Sequence, residues 1–191
     1  LGPLAGEDPG KLGVVLIENA NWARRRPYHR QKLALVWANQ RHFALEQAER
    51  GVAVRYLPTR RGFAEVLREQ AEELGPLRTM EPAEREMRVE LQPLVDDGSI
   101  ELLPHEGWLT HEREFREATR GAKSFRMDSF YRKVRRRTGL LMDGDSPLGG
   151  KYSHDGDNRE KWPGHPPAPY PPEFPKDEIK EEVCRFVDED Y

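Results

Sequence analysis

The chain has 191 residues and a single cysteine, Cys184. That excludes an internal disulfide framework, and the chain by itself cannot supply a structural zinc site or an iron-sulfur cluster. The usage fits a reducing cytoplasm. Long apolar runs are also missing: none approaches the ~20 residues a membrane helix needs, and the opening LGPLAGEDPGK has neither the charged nor the apolar region of a secretion signal. A soluble protein with no membrane partner is expected. One-sided charge is absent too. Lysine and arginine number 31 against 34 acids, a net charge of -3, so no whole-molecule field draws the chain to DNA, and any basic site is local. No Gly-x-Ser-x-Gly elbow or other nucleophile with an identifiable base occurs, and no catalytic residue is assigned.

What is present folds. Charged residues make up 34% and the hydrophobic set 36%, with four Trp, six Tyr and seven Phe; this is polar for a globular protein and too aromatic for a disordered one. LGVVLIE at Leu12–Glu18 reads as a strand buried on both faces. A long helix from Tyr28 to Arg50 follows, stopped by Gly51. VAVRYL at Val52–Leu57 is strand-like, Gly62–Leu74 helical, Leu77–Glu81 a short strand, Glu84–Asp97 a helix broken near Pro93, and Ser99–Pro104 another strand. Strands alternating with helices through short connections predict an α/β fold, a Rossmann-like open parallel sheet with helices on both faces.

The pattern changes after Pro104. Two polar helices are predicted at Glu112–Arg120 and Ser124–Arg137, then a polar loop, then the proline-rich run Pro163–Pro175, which favours an extended spacer. An amphipathic helix, Asp177–Asp188, carries Ile179, Val183 and Phe186 with nothing evident to pack against. The expected organisation is an α/β domain over 1–105, a helical and loop segment over 106–162, and a proline-rich linker with the start of a linker helix over 163–191.

Candidate motifs mostly fail on spacing. Gly144 and Gly149 have the glycine spacing of a phosphate loop, but Gly150 takes the lysine position, Lys151 comes one residue late and Tyr152 replaces the magnesium-binding hydroxyl. Asp155–Glu160 begins like a calcium loop, yet Arg159 and Glu160 stand where a ligand and the turn glycine belong. His105 and His111 are six apart, so they do not share a helical face for zinc. No metal site is assigned. Arg132, Lys133, Arg135, Arg136 and Arg137 cover more than one helical face, which leaves some simply solvated and others free for another domain or a phosphate backbone. Tyr131 and Phe130 beside them could stack on bases, but their helical spacing with Phe125 and Met127 reads first as packing. Glu18 and Glu81 close their strands at the carboxyl ends, where open α/β sheets bind ligands.

Particular stretches go further: VVLIEN at Val14–Asn19, RRRPYHRQKLALVWANQRHF at Arg24–Phe43, GVAVRY at Gly51–Tyr56, MEPAE at Met80–Glu84, and FYRKVRRRTGLLMDGDSPLGGKYSHDGDNRE at Phe130–Glu160. In this order they resemble the amino-terminal part of the iron-sulfur bacterial cryptochromes and photolyases, a group that includes the prokaryotic (6-4) photolyases. The resemblance implies an antenna module for the light-harvesting 6,7-dimethyl-8-ribityllumazine, followed in the family by a helical domain that binds FAD and a 4Fe-4S cluster and repairs ultraviolet-damaged DNA by light-driven electron transfer.

The chain departs from the family at both ends. It begins after the family's first strand and stops in the linker helix, so the cluster cysteines and flavin pocket lie outside it. An unpaired edge beside Leu12–Glu18 is the expected result. Matched cofactor-binding candidates are Glu18, Asn19 and Glu81, with Trp22 and Arg24–Arg26 beside the same crevice. The segment around Arg132, Arg135, Arg136 and Lys151 is expected to meet the protein's own carboxy-terminal helical domain or the DNA backbone. Competing functions are a cryptochrome-type photoreceptor without repair activity and a freestanding α/β ligand-binding module.

Overall fold

A computed structural model describes residues 6–121, 123–156, 159 and 161–191. In chain order it comprises β1 (Gly13–Asn19), α1 (Ala20–Ala23), α2 (Arg30–Glu49), β2 (Ala53–Thr59), α3 (Phe63–Leu74), β3 (Leu77–Met80), α4 (Arg85–Asp96), β4 (Ile100–Leu103), α5 (Glu112–Thr119), α6 (Met127–Thr138), β5 (Met142–Asp143), β6 (Ser146–Pro147) and α7 (Glu178–Asp190). The α/β class read from the alternation is the class observed. Every predicted strand and helix forms, with ends displaced by a few residues. Neither α1 nor the β5–β6 hairpin is foreseen.

The strands lie in two parallel pairs. β1 runs beside β2 from Gly13 opposite Ala53 to Asn19 opposite Thr59, and β3 beside β4 from Leu77 opposite Ile100 to Met80 opposite Leu103. Each pair is joined by a helical crossover, through α1 and α2 for the first and α4 for the second, as parallel strands require. The expected single open sheet is thus divided: among the described residues β1 has β2 as its only strand partner. With one edge unpaired, the apolar Val14, Val15, Leu16 and Ile17 are only half-buried, whereas a strand flanked on both sides would bury them.

The chain forms two compact units, one of residues through Gly107 together with Phe174–Tyr191, the other Trp108–Glu173. In the first, two apolar clusters form. Leu91, Leu94 and Ile100 gather Phe63, Leu67 and Leu77 around them. That packing holds α4 together through Pro93, which lies inside the helix without ending it, although a mid-helix proline removes one backbone hydrogen bond.

The second cluster joins Ala23, Leu33, Trp37 and Ala38 to Val183 and Val187. The last helix is therefore not the free linker helix expected. Its Val183 and Val187, spaced four apart on one face, are 0% and 1% exposed, and Phe186 and Tyr191 bring their rings to 5.2 and 5.4 Å from Trp37. Residues 163–175 contain no helix or strand.

The second unit is organised differently. Among its described residues only Arg135 is buried, at 5% exposure. Aromatic rings make a small contact set, with Phe115 5.2 Å from Phe130 and 5.6 Å from Phe125. Gly139, at φ 69°, closes α6, the left-handed position that glycine fills without steric cost.

Candidate functional site

β1 ends in two polar residues that the fold buries. In a parallel ladder residues two apart share a face, so the pairing of Leu16 with Tyr56 places Glu18 and Tyr56 on the same side of the β1–β2 pair. Arg41 reaches them from α2, two turns beyond Leu33 and one beyond Trp37 on the same helical face. Its Nη2 donates to Glu18 Oε1 at 2.7 Å and its Nε to Oε2 at 2.8 Å. The Tyr56 hydroxyl also donates to Oε2, and Arg41 Nη1 stands 3.3 Å from Glu182 of α7.

This network shifts the titration of Arg41 and Tyr56. The hydrogen bond to Glu18 raises the Arg41 pKa beyond its already high ordinary value. Burial, and then the bond to Glu18, raises the Tyr56 phenol above its ordinary value. Both oxygens of Glu18 are thereby committed. The group serves as a buried partner of Arg41 and Tyr56, with no oxygen left over for a ligand.

Asn19 is equally occupied. Its Oδ1 accepts from the Trp22 backbone N–H at 3.0 Å, capping α1, while Nδ2 donates to the Arg61 carbonyl at 2.7 Å. Asn21 likewise donates to the Arg60 carbonyl. These bonds tie the loop after β2 to the end of β1 and to α1. Trp22 meets Phe63 edge-on at 5.3 Å and carries Arg25 over its ring at 4.2 Å. Arg24 and Arg60 converge on Asp190 at 3.2 and 2.8 Å.

Glu81 is placed apart from these groups. It follows β3, its backbone N–H donates to the Leu103 carbonyl at 2.8 Å, and its side chain is exposed. Among the described residues no hydrogen bond or ion pair joins it to Glu18 or Asn19. The structure thus brings Glu18 and Asn19 to the end of one strand pair and Glu81 to the end of the other. Sequence reasoning missed Arg41, Tyr56 and Asp190. The spacing of four in Leu33, Trp37 and Arg41 carried a signal for the first; nothing local marks the others.

The basic candidates lie in the second unit, where a cavity of about 710 Å³ opens between α6 and residues 148–155 and is lined by Tyr131, Arg135, Lys151 and Tyr152 among others. Arg135 points inward, contrary to its expected place on an interdomain or DNA-facing surface. Its guanidinium donates to the carbonyls of Leu140 and Tyr152 at 3.3 Å each, and to that of Leu141. It lies 5.4 Å from the Tyr131 ring and 5.2 Å from that of Tyr152. The unit has too few apolar residues to build a core, and a cation bonded to three carbonyls takes its place.

Arg132, Arg136 and Lys151 remain on the outside. Arg136 donates to the Tyr152 hydroxyl at 3.2 Å, and Arg132 stands 4.0 Å from Asp128. The calcium-like run at 155–160 falls partly outside the described residues. Among the described residues no group of three or more His, Cys, Asp or Glu side chains is arranged to hold a metal ion, and no helix is long and apolar enough to cross a membrane.

Comparison with known proteins places the chain. The family described as deoxyribodipyrimidine photo-lyase-related protein matches residues 2–191. A (6-4) photolyase of Agrobacterium fabrum is 33% identical over 196 residues, which is 97% of this chain and 38% of that protein. An uncharacterized protein of Acanthamoeba polyphaga mimivirus is 42% identical over 52 residues, 27% of this chain and 26% of its own length. The chain thus spans well under half of the curated relatives it matches. It belongs to the deoxyribodipyrimidine photo-lyase-related protein family.

Proposed function

We propose that this member of the photolyase-related family is the antenna domain and interdomain segment of a protein that repairs ultraviolet pyrimidine lesions in DNA by light-driven electron transfer. The observation that carries the reading is the family match across residues 2–191, which spans both compact units. The (6-4) photolyase similar to it lends the reaction class, and the rest of the machinery, FAD and a 4Fe-4S cluster, would reside in a helical domain beyond this chain. With Cys184 as its single cysteine, the chain itself lacks the four thiolates that a cluster needs. By itself it would be inactive in repair.

The chromophore of the first unit would be 6,7-dimethyl-8-ribityllumazine, which supplies light absorption and energy transfer when bound. The side chains at the strand ends suit such a ligand in kind. Glu81 offers an exposed carboxylate to ribityl hydroxyls, and Trp22 an aromatic surface. Glu18 and Asn19 act as wall-setting groups, because their own polar atoms are engaged by Arg41, Tyr56, Trp22 and Arg61. In the second unit, Arg132, Arg136 and Lys151 would serve contact with the helical domain or with the DNA backbone.

The test is a fluorescence titration of the purified chain with 6,7-dimethyl-8-ribityllumazine, with FAD as the comparison ligand. Saturable lumazine binding, weakened by Glu81→Gln and absent for FAD, is expected. No lumazine response, or equal responses to both ligands, would remove the antenna assignment from this chain.

A further inference from the structure

We propose that the cavity of the second unit is a nucleotide subsite, taking a base against Tyr131 and a phosphate at Lys151. This does not rest on the lumazine assignment, since the residues belong to the other compact unit; in its strand form it rests on, and deepens, the DNA-backbone contact proposed for Lys151.

The first support is where positive charge is left uncompensated. The unit Trp108–Glu173 holds 13 lysines and arginines against 10 acids, whereas the rest of the chain holds 18 against 24. The balance of sign is therefore reversed between the two. In the first unit the arginines at the strand ends and on α2 are spent on acids: Arg24 and Arg60 on Asp190, Arg25 on Glu90, Arg26 on Glu86 and Arg41 on Glu18. Around the second unit's cavity, Lys151 and Arg136 have no carboxylate partner among the described residues. Exposed, unpaired cations are what a phosphate displaces counterions to reach.

The second support is the surface beside that charge. Met127, Leu141 and Leu148 line the cavity and are 70%, 62% and 59% exposed, while Tyr131 is 43% exposed. Tyr131 is also held from within the unit, because the guanidinium near its ring is that of Arg135, fixed by three carbonyls. A ring so anchored, with apolar neighbours and cations at the margin, is the combination by which proteins hold an unpaired base and its backbone.

A cavity of about 710 Å³ is of the size that takes a small organic ligand. Of the acids in the lining, Asp128 is flanked by Arg126 at 3.4 Å and Arg132 at 4.0 Å, which offsets its charge. Asp155 is the acid that Lys151 must outweigh. The same chemistry is offered by a free mononucleotide and by a nucleotide within a single strand.

The experiment is fluorescence anisotropy of a labelled oligothymidylate of about eight nucleotides with the intact chain at low salt, using thymidine monophosphate as competitor. Saturable binding is expected. Tyr131→Leu weakens it about tenfold, Tyr131→Phe preserves it, and Lys151→Gln weakens it and lowers the salt slope by about one. Arg113→Gln, on α5 and away from the cavity, keeps the affinity within about twofold. Competition by the mononucleotide at concentrations near those of the strand identifies the free nucleotide as the ligand; its failure to compete identifies the strand. No binding by the intact chain overturns the proposal, as does binding that Tyr131→Leu and Lys151→Gln both leave unchanged. Lysine 151 is exposed, so its variant remains informative even where Tyr131→Leu unfolds.

Discussion

Arg41 and Glu18 meet at two points, Nη2 to Oε1 at 2.7 Å and Nε to Oε2 at 2.8 Å, with 18% and 4% of the two side chains exposed. Removing one partner strands a charge in a desolvated place. Arg41→Met is therefore expected to cost about 3–5 kcal/mol, and the double variant Arg41→Met with Glu18→Gln less than the sum of the single changes. Urea unfolding followed by tryptophan fluorescence checks this. Additive costs would show that the pair is not coupled.

Tyr56 sets an alkaline limit. Its folded-state pKa is raised above the ordinary phenol value by burial and by its bond to Glu18. The resulting stabilisation is fully present below the ordinary phenol pKa of about 10 and is lost as pH rises through the higher folded value. Tyrosinate absorbance should show two phenols that resist ionisation in the folded chain, Tyr56 and Tyr191, the latter raised by its own burial, and Tyr56→Phe should remove one of the two from the titration. The same variant should flatten the fall of stability above about pH 10.

The α7 helix depends on Trp37. Trp37→Ala is expected to cost about 3–5 kcal/mol, and Val183→Asp, which places an unpaired charge where exposure is 0%, should release α7 from α2. Hydrogen exchange across Glu178–Asp190 reads the outcome. Fast exchange there with β1 and β2 still protected is expected for Val183→Asp. Unchanged protection of α7 would contradict the packing.

In the second unit the two adjacent arginines should behave oppositely. Arg135→Met leaves the carbonyls of Leu140, Leu141 and Tyr152 without their donor, a loss of about 1–3 kcal/mol. Arg136→Met removes an exposed contact and should stay within about 0.5 kcal/mol. Thermal unfolding of the two variants compares them, and equal effects would mean that Arg135 is not the centre of this unit.

The sequence made the elements legible and left their partners hidden. Val14–Ile17 announced β1 because β-branched runs have few other uses, and the helix bearing Leu33 and Ala44 was visible at helical spacing, although Val36 and Phe43 of the same apolar pattern are exposed and Trp37 is the ring that is buried. What the helix covers was not. Trp37 meets Val187 and Tyr191 across some 150 residues of chain, and periodicity states which side of a helix is apolar without stating what will lie on it. For the same reason Glu18 read as an open strand-end carboxylate, when Arg41 and Tyr56, 23 and 38 positions away, consume it.

Arg135 shows the reverse limit. In a run of five basic residues composition gives no means of choosing the one that turns inward. The choice follows from Gly139 and from Leu141, whose φ of 55° is unusual for a non-glycine residue and whose carbonyl accepts from the Arg135 guanidinium. That requirement is set by a turn following the helix, not by the helix.

Because α7 returns to α2, the path of the chain leaves the first unit at Gly107 and re-enters it at Phe174. The second unit is in effect a long insertion, held covalently at both of its ends. A protease that cuts once in the element-free stretch 163–175 would break the polypeptide without separating its halves, since Val183, Val187 and Tyr191 would keep the shorter piece seated on Trp37. Two bands on a denaturing gel would then run as one species in solution.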